Sequence, residues 1–570
     1  MSKVYIEKLD FSDVASIKNR FETLLAADLQ TEDSMVQWLK EVSDFYDAIQ
    51  EGLDGHYIDF QAYNNDEDAK RAFQYDQEKI EPLVKRQKAK VDEKFLQAPA
   101  KDKLDKEVYG RYIKSKENAS ALFNKENVQL EIEEDRLATR YFEITGALTA
   151  DWNGEELTVV QLFPYLEDPD RELRKKAFDL IFGSLLEVKD DLQKIMSELL
   201  EIREKKANNS KLANYRDYMF KKYERFDYTP EDCKQLAASI KEHVLPVAGK
   251  LRKQHKQELG VDVLRPYDSK GVPADKTPLK PFASIDELVS KTSTVLGELD
   301  PRFAELIKKM NEKRQLDLES RKNKSPGGFC TPLPVSESSF IFMNASRSHD
   351  DMLTLLHEMG HCIHNDLKFP IDLSYYKDTP MESSELASMS MELLSMDQWH
   401  HFYEDEEQLN RAKLDQLKGI LEFLPQGMKI DLFQHWMYEN PDHTMEERME
   451  KYDEIHQMLD AGVVEWDGYE EVRKARWLFV LHIFEVPFYY VEYVIAQLGA
   501  VQMYKQYKED KDAALENYKH ALSLGNTKSL QEIYEAAGIK FDFSPELIKE
   551  LMEFLQNEIQ ELESAAGTAK

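Results

Sequence analysis

Ser348-His349-Asp350-Asp351-Met352-Leu353-Thr354-Leu355-Leu356-His357-Glu358-Met359-Gly360-His361-Cys362-Ile363-His364 is the stretch whose reading decides the fold. It predicts a helix. Ser348 is a fitting N-cap, with Asp351 three residues later in capping-box spacing. Asp350 and Asp351 suit the positive end of the helix dipole. Met352, Leu355, Leu356 and Met359 form an apolar face. Residues i and i+4 share a helix face, so His357 and His361 can both reach one metal ion. Zinc accepts neutral imidazole nitrogen in a tetrahedral shell. Glu358 points elsewhere and can take a proton from a metal-activated water. The competing reading is a chance match on a buried helix, and the bare motif does not exclude it.

A catalytic zinc site needs a third protein ligand and an open position. The next helical segment, Met381-Glu382-Ser383-Ser384-Glu385-Leu386-Ala387-Ser388-Met389-Ser390-Met391-Glu392, offers Glu382, Glu385 and Glu392. Its small residues would let it approach the first helix closely. Spacing alone does not choose among the three carboxylates.

Working outward, Ser339-Phe340-Ile341-Phe342-Met343-Asn344-Ala345 is the best strand candidate. As an exposed edge it would bind an extended peptide through backbone hydrogen bonds. Before it, Ser325-Pro326-Gly327-Gly328 opens a loop that either closes over substrate or simply turns the chain. Residues 259–283 read as a connecting loop around Asp268-Ser269-Lys270-Gly271. Asn153-Gly154, flanked by 147–152 and 155–160, predicts a type I′ hairpin. Residues 68–145 and 168–213 carry helical periodicity, and from Ser348 on nearly everything is helical. Ala565 to Lys570 reads as a frayed tail.

The composition excludes whole classes of partner. The 570 residues carry 75 Lys+Arg against 108 Asp+Glu, a net charge of −33. Such a chain repels nucleic acid and anionic membrane unless a strong basic patch intervenes. Only short basic clusters occur, such as Lys85-Arg86-Gln87-Lys88 and Arg321 to Lys324. The acidity serves either solubility or a cavity for cationic ligands. Three cysteines, Cys233, Cys330 and Cys362, are too few for a disulfide framework and suggest a reducing compartment. The N-terminal residues carry no signal-peptide run and no apolar stretch is long enough for a membrane span, so a cytoplasmic protein is expected.

Four motifs in one order resemble the thimet oligopeptidase and oligoendopeptidase F group of zinc metallopeptidases. They are Gly327-Gly328-Phe329-Cys330-Thr331, the His357–His364 stretch, Ser384-Glu385-Leu386-Ala387-Ser388, and Pro487-Phe488-Tyr489-Tyr490-Val491-Glu492-Tyr493 with its continuation to Gly499. The hairpin and Asp168-Pro169-Asp170-Arg171 look like the oligoendopeptidase F, Pz-peptidase-like branch. The resemblance implies a mainly α fold, two helical lobes around a deep substrate channel, and a small β-sheet near the zinc site. It divides the chain into an N-terminal helical lobe with the hairpin, 1–205, and a catalytic region, 206–570. It selects Glu385 as third ligand of one zinc ion per chain. It places Glu392 and His364 beside the ligands and implies that His482, Tyr490 and Tyr493 serve catalysis, with Tyr489 close by. A phenol there would donate to the oxyanion; without the resemblance an aromatic core stripe is the preferred reading.

The expected activity is therefore zinc-dependent endopeptidase cleavage of short unstructured peptides, with no nucleic acid or membrane partner. The alternatives are a dipeptidyl-carboxypeptidase-like enzyme and a non-enzymatic acidic helical scaffold.

Overall fold

The computed structural model describes residues 3–568. It is mainly helical, and its strands form two small sheets. The chain divides into two compact units, each built from three separated segments. No helix among the described residues is long and apolar enough to cross a membrane.

One unit comprises Leu122–Pro278, Lys413–Leu498 and the residues from Asp542 on. Its hairpin pairs β1 (Thr149–Trp152) with β2 (Glu155–Thr158). Asn153 (φ 60°) and Gly154 (φ 90°) both take the left-handed conformation that a type I′ turn requires. The second strand ends two residues before the expected Val160. Thr158 and Gln161 form a capping box there and start the helix Val159–Leu162. The helix Arg171–Asn209 follows, with the Asp170 side chain capping its first turn. The boundary expected at 205/206 falls inside this continuous helix. The loop at 259–283 is pinned to it. Buried Asp268 accepts from Arg171 Nη2 at 2.7 Å and from Arg174 Nη2 at 2.9 Å. The helix Pro545–Thr568 carries the chain through the start of the expected frayed tail; residues 569 and 570 of that expectation lie outside the described residues.

The other unit comprises the residues up to Ala121, Leu279–Ala412 and Gly499–Phe541. It holds β3 (Leu316–Glu319), β4 (Phe329–Leu333) and β5 (Ser338–Ala345) in the order β3-β5-β4. β5 is parallel to β3 and antiparallel to β4. The strand expected at 339–345 is thus present, but it is no edge: both its flanks are paired, and Ser338–Met343 are all buried. The outer strands β3 and β4 form the edges. Gly327 is left-handed at φ 97°, and a Cβ on Gly328 would lie 3.2 Å from the Phe342 carbonyl oxygen.

The helix His349–Lys368, here the motif helix, follows β5. Ser348 and Asp351 form the expected reciprocal cap, Ser348 N donating to Asp351 Oδ2 at 2.8 Å and Asp351 N to Ser348 Oγ at 3.2 Å. The helix is tied to the sheet beneath it by Asn365 Nδ2, which donates to Ser339 Oγ at 3.0 Å. The helix Met381–Leu394, the glutamate helix, crosses it at the glycine of the motif. A Cβ on Gly360 would lie 2.6 Å from Ser388 Cα and 2.7 Å from the Ala387 carbonyl oxygen. Small residues on both helices therefore permit the close approach. Tyr518 secures the glutamate helix from another side by donating to the Ala387 carbonyl at 2.7 Å.

Candidate metal centre

The helical spacing brings His357 and His361 together on one face of the motif helix. Their ring centroids are 5.0 Å apart and the rings nearly perpendicular, at 86°. The glutamate helix supplies the third group. Glu385 Oε2 lies 3.3 Å from His357 Nε2 and 3.8 Å from His361 Nε2. One donor atom from each of the three residues falls within 4.8 Å of the other two. Two imidazole nitrogens and one carboxylate oxygen form a donor set that suits zinc. The 3.3 Å separation equals an edge of a tetrahedral zinc shell of N and O donors, roughly 3.3–3.6 Å from its bond lengths, and the 3.8 Å separation lies just beyond it. Three protein donors leave one position of that shell for water or substrate, so the residues fit a catalytic zinc ion.

The surrounding groups prepare the donors. His357 Nδ1 and Glu392 Oε1 are hydrogen-bonded at 2.7 Å, which fixes the ring and directs Nε2 toward Glu385. Ser388 Oγ donates to Glu385 Oε2 at 2.9 Å. Burial opposes a charge on His357, but the hydrogen bonds to Glu385 and Glu392 outweigh it and hold its pKa well above the ordinary imidazole value. Burial also opposes ionisation of Glu385; its hydrogen bond with His357 and the charges of both imidazoles still lower its pKa. Burial pushes the pKa of His361 down to about 4. Glu358 is 8% exposed. Burial raises its carboxyl to about 7, with Glu385 and Glu392 adding to the shift and His357 opposing it.

Of the three carboxylates that spacing left open, Glu385 joins the histidines and Glu392 takes the far nitrogen of His357. Glu382 is buried in the same helix and is not among the three clustered donors. His364 is likewise buried, at 2% exposure, and outside that cluster. Sequence reasoning missed Ser388. Its signal was local: a hydroxyl one helical turn after Glu385.

The aromatic residues expected to serve catalysis gather in the other unit, around the start of the helix Tyr490–Glu509. The His482 ring centroid lies 5.1 Å from that of Tyr490, 5.9 Å from Tyr493 and 5.8 Å from Tyr489. All four are half-buried, while Phe488, Val491 and Val494 beside them are fully buried. Burial lowers the His482 pKa and raises that of Tyr490. Phe488, just before the cluster, adopts a left-handed φ of 66°. Its strained backbone is held on both sides: Arg225 Nη2 donates to its carbonyl at 2.5 Å, and its N–H donates to Gln434 Oε1 at 2.8 Å.

Oligopeptidase PepF of Bacillus subtilis is 22% identical over 432 residues, an alignment covering 72% of this chain and 60% of that protein. Group B oligopeptidase PepB of Streptococcus agalactiae is 22% identical over 404 residues, covering 67% and 63%. The chain thus spans less than two thirds of the length of these curated relatives. The solved structure of PZ peptidase A with inhibitor 2 aligns with a TM-score of 0.89 at 24% identity, over 97% of this chain and 98% of that one. At that identity the likeness establishes the fold. The model of Peptidase family M3 matches residues 164–553, which include His357, His361, Glu385 and the aromatic cluster. With more than half of its length matched in this way, the chain belongs to peptidase family M3.

Proposed function

We propose that this protein is a zinc-dependent endopeptidase that hydrolyses internal bonds of short, unstructured peptides. The observation that carries the reading is the triad of His357, His361 and Glu385, with donor atoms within 4.8 Å of one another and Glu358 on the same motif helix. Membership of peptidase family M3 supports it. When bound by these three residues, zinc would polarise the scissile carbonyl and make water acidic enough to attack at neutral pH.

The rest of the chemistry belongs to the chain's own side chains. Glu392 holds the His357 ring through Nδ1, and Ser388 holds the Glu385 carboxylate, so both donors are oriented before any ligand arrives. Glu358 accepts the proton of the attacking water and delivers it to the leaving amine. Its neighbours in the helix, His357 and Met359, cannot do this: one is a metal donor and the other has no titratable group. The phenols of Tyr490 and Tyr493, with His482, stabilise the oxyanion, a role carried over from the family resemblance. The setting in this reading is the cytoplasm, which rests on the small number of cysteines.

The test is digestion of a peptide library with and without a chelator, read by mass spectrometry. Internal cleavage that disappears with chelator and returns with zinc is the expected result. Stepwise loss of dipeptides from one end, or cleavage indifferent to chelator, would overturn it. Glu358→Gln should retain the metal and lose about 10²–10⁴-fold in kcat, the usual contribution of a general base. A metal-loaded Glu358→Gln with wild-type turnover would remove Glu358 from the mechanism.

A further inference from the structure

A second group of donors lies in the unit that does not carry the triad. Cys233 sits on the helix Pro230–His243, and Asp431 and His435 sit one turn apart on the helix Glu406–Glu439. One donor atom from each falls within 4.8 Å of the other two. All three are buried: Cys233 and Asp431 are 0% exposed and His435 is 2% exposed. Among the described residues, neither carboxylate oxygen of Asp431 and neither ring nitrogen of His435 has a hydrogen-bond partner. His435 Nε2 lies 3.3 Å from Asp431 Oδ2. Phe220 and Phe488 pack against the imidazole, with ring centroids at 6.1 and 5.3 Å.

This arrangement is costly as it stands. A buried polar group without a hydrogen bond loses its solvation with nothing in return, and a buried carboxylate loses most. An ion pair in an apolar setting rarely recovers its desolvation cost unless the remaining oxygens and nitrogens are also satisfied. One cation removes the difficulty. It would accept lone pairs from the Asp431 carboxylate, the His435 ring and the Cys233 sulfur together. A divalent ion with one thiolate and one carboxylate is also neutral as a group, and so can be buried. The 3.3 Å separation already equals a nitrogen–oxygen edge of a tetrahedral zinc shell, roughly 3.3–3.6 Å.

We propose that Cys233, Asp431 and His435 form a second, structural divalent-metal site of the zinc class. Binding replaces the thiol proton: the Cys233 S–H bond breaks, a sulfur–metal bond forms, and the proton leaves to solvent. The site joins two helices that are distant in sequence. Gln434, beside His435, also holds the strained Phe488 that precedes the half-buried tyrosines, so the metal stiffens the base of that segment. All three donors are buried, which suits a structural role, with the one remaining position of a tetrahedral shell left to a water.

Cobalt(II) separates this site from the triad, whose donors include no sulfur. A His357→Ala/His361→Ala double variant, freed of metal and titrated with cobalt, should bind about one ion per chain. It should also show a near-ultraviolet thiolate-to-cobalt charge-transfer band, which Cys233→Ser abolishes in the same background. No bound cobalt, cobalt without that band, or a band that survives Cys233→Ser would each overturn the proposal. If the double variant fails to fold, the same comparison is made in the full-length wild type, with and without Cys233→Ser. There, a band indifferent to the substitution is the refuting result. The outcome does not depend on whether the triad holds zinc.

Discussion

At His357 the two ring nitrogens face different carboxylates, and the difference sorts the glutamates by role. Nε2 faces Glu385 at 3.3 Å and Nδ1 faces Glu392 at 2.7 Å. A carboxylate behind a ligating imidazole fixes its orientation and raises its basicity. Glu392→Gln should therefore weaken metal binding by about 10–100-fold, measured by competition with a chromophoric chelator. An unchanged affinity would mean that packing alone orients the ring. Glu385→Ala removes a donor and should lower affinity further still; an equal loss from Glu382→Ala would show that the wrong carboxylate has been chosen. The histidine pair was legible in the sequence because the i, i+4 rule is local. The choice among Glu382, Glu385 and Glu392 was not, because it depends on which turn of a second helix faces the first. The resemblance to a family supplied that choice.

At the scale of the element, the crossing of the motif and glutamate helices is set by Gly360. A methyl group there would meet backbone atoms of Ala387 and Ser388 at 2.6–2.7 Å, and backbone cannot swing aside. Gly360→Ala should destabilise the protein by about 1–3 kcal/mol through overpacking, read as a lowered thermal midpoint, and should weaken metal binding by separating Glu385 from the histidines. Gly183 is the control. It lies inside the helix Arg171–Asn209 with nothing within 4 Å of an added Cβ. Gly183→Ala should stabilise by about 0.5–1 kcal/mol, since helical glycine carries an entropic cost. The same change of sign in both variants would contradict the close approach. Caps and turns were legible at this scale: Ser348 with Asp351, and Asn153-Gly154, encode their geometry within four residues. The place of β5 was not. β3 offers only the short Leu316-Asp317-Leu318-Glu319, and a parallel partner some twenty residues upstream leaves no pattern in the strand itself.

At the scale of the molecule, the charge of −33 acts as a field. It should draw cationic peptides and slow anionic ones. Matched basic and acidic substrates should differ in kcat/KM at low salt, and the ratio should fall toward one as the Debye length shortens to about 8 Å near 0.15 M salt. Equal rates at low salt would reduce the acidity to a matter of solubility. The charge was legible from the sequence; the assembly of the two units was not, because local patterns do not reveal which distant segments share a core. That assembly also bears on synthesis. Each unit interleaves three stretches of chain, and each needs residues beyond Leu498. On the ribosome, the helices around His357 emerge long before Tyr518, whose hydroxyl secures the Ala387 carbonyl. The nascent chain must carry two unfinished cores for most of translation. The metal-donor triad and its supports are therefore complete only late and together with the fold, so a prematurely terminated product would be a client for chaperones, with no assembled centre of its own.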